Sequence, residues 1–274
     1  MLQRSFSLDD VRGDQAAADV VGTVLVQCVD DVDETSELLE IAAREPFVRG
    51  VVGWLDLDAA SFADDLAALR EAPGGDRLLG LRHQLQVEPD KGWLERAGVR
   101  RSLAVLGDAG LAYDVVVSPE QLRQVVATAR ELPGLRFVLD HCGNPPLRDG
   151  DLGGWRRDLA AVAALPNTAV KLSGLVTHGT WGAAGADEVR PVVDHVLGSF
   201  GPARTAFGSD WPVCRLSAPY EEVVALTEAV IADLSPEDRN LVWSGAATAW
   251  YGLTDSDEGA TGRSSRRRRG GPPP

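Results

Sequence analysis

The chain has 274 residues and a formal net charge of −14, and hydrophobic residues make up 44% of it. This composition supports a buried core and excludes a chain that is disordered throughout. The acidic excess argues against nucleic acid as a partner, because phosphate contacts need clustered cations. No apolar run reaches the ~18 residues of a membrane span and no signal peptide opens the chain, so no membrane partner is expected. Three cysteines are too few for a disulfide framework, which favours a reducing, cytoplasmic location.

The predicted elements begin with a helix from Ser7 to about Asp19. Seven hydrophobic strand candidates follow, and their starts lie 25 to 36 residues apart, which is the length of one strand–helix unit. The strand candidates are Val21–Gln27, Val48–Leu57, Leu78–Gln86, Leu111–Val117, Arg136–His141, Thr168–Leu175 and Arg204–Asp210. Amphipathic helices fill the intervals. The helices after Ser118 and Ser235 each start with an N-cap serine followed by proline.

The last 21 residues, Thr254–Pro274, differ in composition from everything before them. They contain no Val, Leu, Ile or aromatic residue, and they include the arginine run Arg266–Arg269. Such a segment cannot bury enough apolar surface to offset the entropy of ordering it, so a disordered, solvated tail is predicted. The arginine run leaves attraction to nucleic acid or to an acidic surface as an alternative. Residues 1–253 are predicted to form the folded domain.

Near-continuous hydrophobic strands that alternate with helices predict an α/β protein with a parallel sheet. Neither a G-x-G-x-x-G motif nor a phosphate-binding P-loop follows any strand, so the usual nucleotide sites are not supported. Several strands instead have a polar residue near their carboxyl ends, which is typical of a TIM (β/α)8 barrel. These residues are Gln27, Asp56, His83, His141, Lys171 and Asp210. Because a helix precedes the first of only seven recognisable strands, the barrel is predicted to be incomplete at its amino end.

Two of these strand-end residues are candidates for chemistry. His141 lies where a strand breaks into the loop Cys142–Pro145, a position that suits a metal ligand or a group that polarises a carbonyl. Asp210 lies before Trp211-Pro212 and can bind a metal or take a proton from water. The alternatives are a histidine that caps a core layer and an aspartate that only caps a turn.

Arg82 and His83 are adjacent in one strand, so their side chains face opposite ways and at most one is expected to point into the barrel. An arginine inside the barrel can hold a carboxylate or lactone oxygen, whereas one outside pairs with an acidic residue. Lys171 lies in an apolar strand, where it is either paired or functional. His178 is expected at the rim and His195 on an outer helix. Since the sequence has no G-x-S-x-G elbow and no C-x-x-C pair, covalent serine and redox chemistry are not supported.

Six segments occur in the order known from one family. They are Gly50–Asp56, Gly80–Gln86, Phe137–Pro146, Val170–Leu175, Phe207–Cys214 and Gly245–Tyr251. Together they resemble the amidohydrolase superfamily, and within it the amidohydrolase 2 branch of sugar and dicarboxylate lactonases, over about residues 4–253. The resemblance implies a TIM barrel of the metal-dependent hydrolase type with its site at the carboxyl ends of the strands.

The resemblance also implies roles for particular residues. The protein would be a hydrolase that opens a small lactone, with Asp210 taking a proton from the attacking water. His141 would polarise the lactone carbonyl or bind a divalent metal such as zinc, with Asp210 as a second metal ligand. Arg82, His83 and Trp211 would contact the small-molecule substrate. Some members of this branch use zinc and others work without metal.

The sequence departs from the family at its amino end. Family members open with a strand that carries a His-x-His pair, and no such pair occurs here. The segment Arg4–Asp10 resembles the first barrel helix, so the first strand is expected to be missing and His141 and Asp210 are too few to hold zinc. The absent strand motivates one alternative, a truncated, inactive or only ligand-binding relative. A separate alternative keeps the fold and changes the chemistry to metal-dependent decarboxylation, which related barrels perform.

Overall fold

Seven parallel strands form one sheet in the computed structural model, which describes residues 2, 4–148, 150–180, 182 and 184–253. Each strand is hydrogen-bonded to the next one along the chain, in the order β1 to β7. The strands are β1 (Thr23–Val26), β2 (Val48–Gly53), β3 (Leu78–Gln84), β4 (Ala112–Val116), β5 (Arg136–Leu139), β6 (Thr168–Leu172) and β7 (Thr205–Phe207). All seven predicted strands are confirmed. Each ends earlier than predicted, because its last residues leave the sheet and form loops at the carboxyl edge.

Helices connect the strands. In the described part of the chain they are α1 (Arg12–Ala17), α2 (Val32–Arg44), α3 (Phe62–Glu71), α4 (Ala97–Asp108), α5 (Leu122–Glu131), α6 (Gly153–Ala163), α7 (Leu175–His178), α8 (Ala186–Phe200), α9 (Tyr220–Val230), α10 (Pro236–Asn240) and α11 (Ala246–Tyr251). The helix predicted near the amino end is a short 3-10 turn, Leu8–Asp10, followed by α1. At α10 the predicted serine cap is present, since the backbone N–H of Asp238 donates to Ser235 Oγ over 3.1 Å.

The sheet has an apolar layer on each face. The larger layer fills the space between the sheet and the surrounding helices. On the inner face a small cluster combines Val52, Ala112 and Val138 with Tyr251 of α11. Because Ala112 is the first residue of β4, Tyr251 packs near the amino end of the sheet and leaves the carboxyl edge to polar residues.

The described sheet is the predicted barrel with seven strands, in which β1 pairs with β2 and β7 pairs with β6. Within the described residues, no helix combines the length and apolarity needed to cross a bilayer. The segment Thr254–Pro274, which we predict to be disordered, lies outside the described residues.

Candidate active site

A left-handed turn follows β5 and positions His141. Four consecutive residues have positive φ, namely His141 (50°), Cys142 (53°), Gly143 (69°) and Asn144 (52°). Left-handed backbone costs a non-glycine residue about 1–2 kcal/mol, and such strain clusters at functional sites. The turn places His141 beside Asp210 at the carboxyl edge of the sheet. The Cys142 thiol is buried instead, with its Sγ 3.4 Å from the carbonyl oxygen of Lys171.

Two residues that follow β6 fix the imidazole of His141. Ser173 Oγ lies 2.9 Å from Nδ1, and a Ser173 hydroxyl that donates to Nδ1 leaves the ring proton on Nε2. Gly174 covers the ring and has a φ of 70°. A Cβ on Gly174 would lie 3.0 Å from the Cβ, Cγ and Nδ1 atoms of His141. Both the space and the backbone conformation at this position therefore require glycine.

Asp210 faces His141 from the loop after β7. Its own φ is also positive, at 55°. Its Oδ1 lies 3.8 Å from His141 Nε2, and the two side chains are 14% and 16% exposed. This separation is too long for a direct hydrogen bond, but one oxygen atom about 3 Å from each could contact both. Burial raises the pKa of Asp210 above its usual value, and the attraction of His141 offsets only part of that shift.

A buried group of charges lies next to this pair. Lys171 Nζ is 2.6 Å from Asp114 Oδ2 and 2.6 Å from Asp140 Oδ1, and both carboxylates are inaccessible to solvent. The Tyr251 hydroxyl donates to Asp114 Oδ2 over 2.6 Å. Lys171 is therefore paired, which is one of the two alternatives that the sequence left open. The same contacts join β4, β6 and α11 on the inner face of the sheet.

Arg82 belongs to the same group and points into the barrel. Its Nη1 donates to Asp140 Oδ2 over 3.0 Å, and its Nη2 donates to Gln27 Oε1 over 3.0 Å and to the Gln27 carbonyl oxygen. Burial alone would raise the pKa of Asp140, but the cations Lys171 and Arg82 hold it below the usual range. The guanidinium thus has protein partners, and a substrate contact by Arg82 remains a prediction.

The structure does not bring His83 into this group. Its ring stacks on Trp93 with 3.8 Å between the ring centroids, and Nε2 is 2.8 Å from Glu88 Oε1. The residue is only 4% exposed, and burial lowers the pKa of its ring despite the bond to Glu88. His83 therefore lies on the outer side of β3, opposite to Arg82, and its contact with a substrate remains a prediction. Its alternation with Arg82 was correctly predicted, but the alternation could not tell which of the two faces inward.

Trp211, the third predicted substrate contact, directly follows Asp210. Its ring packs edge to face against Phe6, with 5.3 Å between the centroids. The indole Nε1 is buried and has no hydrogen-bond partner in the described part of the chain. The contact of Trp211 with a substrate remains a prediction.

The two catalytic candidates do not by themselves form a zinc site. Zinc takes three or four nitrogen, oxygen or sulfur ligands, and His141 with Asp210 supplies two. Asp140 is the next carboxylate, but Lys171 and Arg82 occupy it. Within the described residues, no three His, Cys, Asp or Glu side chains are arranged to hold a metal ion. The donor set does not fit zinc, so no catalytic step is assigned to a metal.

The curved parallel sheet, with a histidine and an aspartate facing each other at the carboxyl ends of its strands, defines a hydrolase-type α/β barrel. The family model described as amidohydrolase matches residues 1–253. The chain belongs to the amidohydrolase family. It is 38% identical over 266 residues to the L-fucono-1,5-lactonase of Burkholderia multivorans, covering 93% of this chain and 88% of that protein.

Solved structures agree with the fold. A crystal structure of an amidohydrolase from Burkholderia multivorans with bound zinc matches with a TM-score of 0.87 and 38% identity, over 92% of this chain and 90% of that one. The 5-carboxyvanillate decarboxylase of Sphingomonas paucimobilis matches with a TM-score of 0.64 and 14% identity, over 91% of this chain and 84% of that one. At that low identity the likeness to the decarboxylase supports the shared fold alone.

Proposed function

We propose that this protein is a hydrolase that opens the ring of a small lactone, with L-fucono-1,5-lactone as the first candidate substrate. The observation that carries the proposal is the facing pair of Asp210 Oδ1 and His141 Nε2, 3.8 Å apart at the carboxyl ends of β7 and β5. A base and a hydrogen-bond donor at this separation can act on a water molecule and on the carbonyl that it attacks. The similarity to a protein named L-fucono-1,5-lactonase supports this substrate class.

Each group has one role in the proposed reaction. The Asp210 carboxylate takes a proton from water while the water oxygen bonds to the carbonyl carbon of the lactone. The carbonyl oxygen gains negative charge and accepts a hydrogen bond from the Nε2–H of His141, the tautomer that a hydrogen bond from the Ser173 hydroxyl to Nδ1 would favour. The bond between the carbonyl carbon and the ring oxygen then breaks. The proton on Asp210 passes to that ring oxygen, and the product is a hydroxy acid.

The direct test is a hydrolysis assay on the purified protein with L-fucono-1,5-lactone, in which a pH indicator follows the release of acid. We expect turnover that a chelator leaves unchanged, because the His141–Asp210 pair lacks the ligands that zinc needs. Loss of activity in chelator would show that further donors complete a metal site. Release of carbon dioxide from an aromatic acid, without lactone hydrolysis, would favour decarboxylation instead.

The activity should depend on pH through Asp210. Only the ionised carboxylate can accept a proton, so kcat/KM should fall as the pH drops through the pKa of this residue. Because burial raises that pKa, the acid limb should lie above the value of about 3.9 for an ordinary aspartate. A pH profile of kcat/KM measures this limb. A limb at or below the ordinary value would contradict the role of Asp210 as the base.

Gly174→Ala should impair the site by displacing His141. The new Cβ would meet the imidazole at 3.0 Å, and a misplacement of about 1 Å can cost about 10²-fold in rate. Gly110→Ala is the matched control, since Gly110 has a similar φ of 73° but nothing within 4 Å of an added Cβ. Both variants should lose thermal stability because of the left-handed backbone, Gly174→Ala more so because of the contact with His141, and only Gly174→Ala should lose activity. Equal activity in the two variants would contradict this positioning role.

A further inference from the structure

His178 is a second histidine at the mouth of the barrel, and the proposed mechanism does not use it. It is the last residue of α7, the short helix that follows β6. Arg148 anchors this helix, because its Nε donates to the Gly179 carbonyl over 3.0 Å and its Nη2 donates to the Thr177 carbonyl over 2.9 Å. These two carbonyls flank His178 on either side. Its position beside the site is therefore fixed by a guanidinium from the loop after β5.

The ring of His178 has unused hydrogen-bonding capacity. Its centroid is 6.3 Å from that of His141, and the residue is partly exposed. Unlike the other three histidines, it has no hydrogen-bond partner among the described residues, whereas His141, His83 and His195 each have one. Burial, followed by the charges of His141 and Arg148, lowers its pKa to about 4. The ring is thus neutral near pH 7 and offers one donor and one acceptor.

The charges around the site favour a neutral ligand at this position. Lys171 is held between two carboxylates, and Arg82 is bonded to Asp140 and Gln27. Arg148, the cation next to His178, is bonded to the Thr177 and Gly179 carbonyls. A carboxylate on the substrate would need a cation, whereas a neutral imidazole matches a hydroxyl, which also donates and accepts one hydrogen bond. The distance between the two histidine rings is within the span of a substituted six-membered lactone ring.

We propose that His178 hydrogen-bonds a ring hydroxyl of a neutral, polyhydroxylated lactone and thereby determines specificity, an inference that rests on the proposed function. A site that hydrogen-bonds a hydroxyl discriminates against the analogue that lacks it. His178 therefore selects sugar lactones over bare lactones and takes no part in breaking the ester bond. It holds the substrate while Asp210 and His141 act on the carbonyl.

The test compares His178→Phe and His178→Gln with the wild type on L-fucono-1,5-lactone and on δ-valerolactone, which has the same ring size and no hydroxyls. Phe keeps an aromatic ring without polar atoms, and Gln restores an amide that donates and accepts. We expect His178→Phe to lower kcat/KM for the hydroxylated lactone by about 5- to 100-fold and to leave that for δ-valerolactone unchanged. His178→Gln should recover part of the loss.

An equal loss on both lactones, or no loss on either, would overturn the role of His178. A wild type that hydrolyses neither lactone would overturn the proposed function instead. The role of His178 is then decided by calorimetric binding of L-fucono-1,5-lactone in the Asp210→Asn background with and without His178→Phe. Weaker binding in the double variant supports the hydroxyl contact, and unchanged or undetectable binding in both overturns it.

Discussion

Asp210→Asn is expected to lower kcat/KM for lactone hydrolysis by about 10²–10⁴-fold, the usual contribution of a positioned general base. The amide keeps the shape of the side chain but cannot accept a proton from water. His141, whose Nε2 lies 3.8 Å from Asp210 Oδ1, is unchanged and would still polarise the carbonyl, so a low residual rate should remain. Steady-state kinetics on L-fucono-1,5-lactone measures the effect. Activity near that of the wild type would refute the proposed mechanism.

The same substitution should not weaken the fold. Burial raises the pKa of Asp210 in the folded protein above its value in the unfolded chain. Above that pKa the ionised carboxylate therefore opposes folding, and it ceases to do so as the pH falls and the group is protonated. Asparagine carries no charge, so the Tm of Asp210→Asn at pH 7 should equal or exceed that of the wild type. Loss of activity without loss of Tm separates a catalytic role from a structural one.

Asp56→Asn is the matched control. Asp56 also follows a strand of the sheet, but it is exposed and its Oδ1 accepts a hydrogen bond from the backbone N–H of Asp58. Both substitutions remove one carboxylate from the carboxyl edge of the sheet. Only Asp210→Asn should reduce activity. A similar loss in Asp56→Asn would point to the overall charge of this edge rather than to a base at Asp210.

The fold was largely predictable because it depends on hydrophobic periodicity, which is a local property. Each of the seven apolar runs became a strand, in chain order, with a helix between neighbours. The strand ends were less predictable. The predicted strand continues through Asp140 to His141, but β5 ends at Leu139 and the backbone becomes left-handed from His141 onward. Periodicity carries no information about such a turn, because its strain is balanced by tertiary contacts.

The sequence predicted residues of the candidate site only where a histidine or an aspartate occurs at the end of a strand. His141 and Asp210 were found in this way, and the structure places them side by side. The pairing of Lys171 with Asp114 was not found, because the partners lie on different strands and 57 residues apart. Tyr251 reaches the same carboxylate from a helix 137 residues away, and no local pattern marks it as part of the barrel interior.

Lys171→Met is expected to lower the free energy of unfolding by about 3–5 kcal/mol, the usual cost of removing one partner from a buried ion pair. Methionine fills similar space but removes the charge that faces Asp114 and Asp140, which both stay buried. Arg82 remains bonded to Asp140. Asp114 would be affected most, because burial already raises its pKa and the attraction of Lys171 is the main effect that opposes this shift. Denaturant unfolding at pH 7 measures the loss.

Lys91→Met is the control that the chain itself supplies, since Lys91 is its only other lysine and is exposed. A surface substitution of this kind usually changes stability by less than about 0.5 kcal/mol.

The loss of stability in Lys171→Met should also shrink as the pH falls, because protonating Asp114 removes the uncompensated charge. The double variant Lys171→Met/Asp114→Asn should recover part of the loss at pH 7 for the same reason. Equal stability of Lys171→Met and Lys91→Met at every pH would mean that the buried charges do not hold the inner face of the sheet together. Another contact, such as the packing of Tyr251 in the inner apolar cluster, would then have to do so.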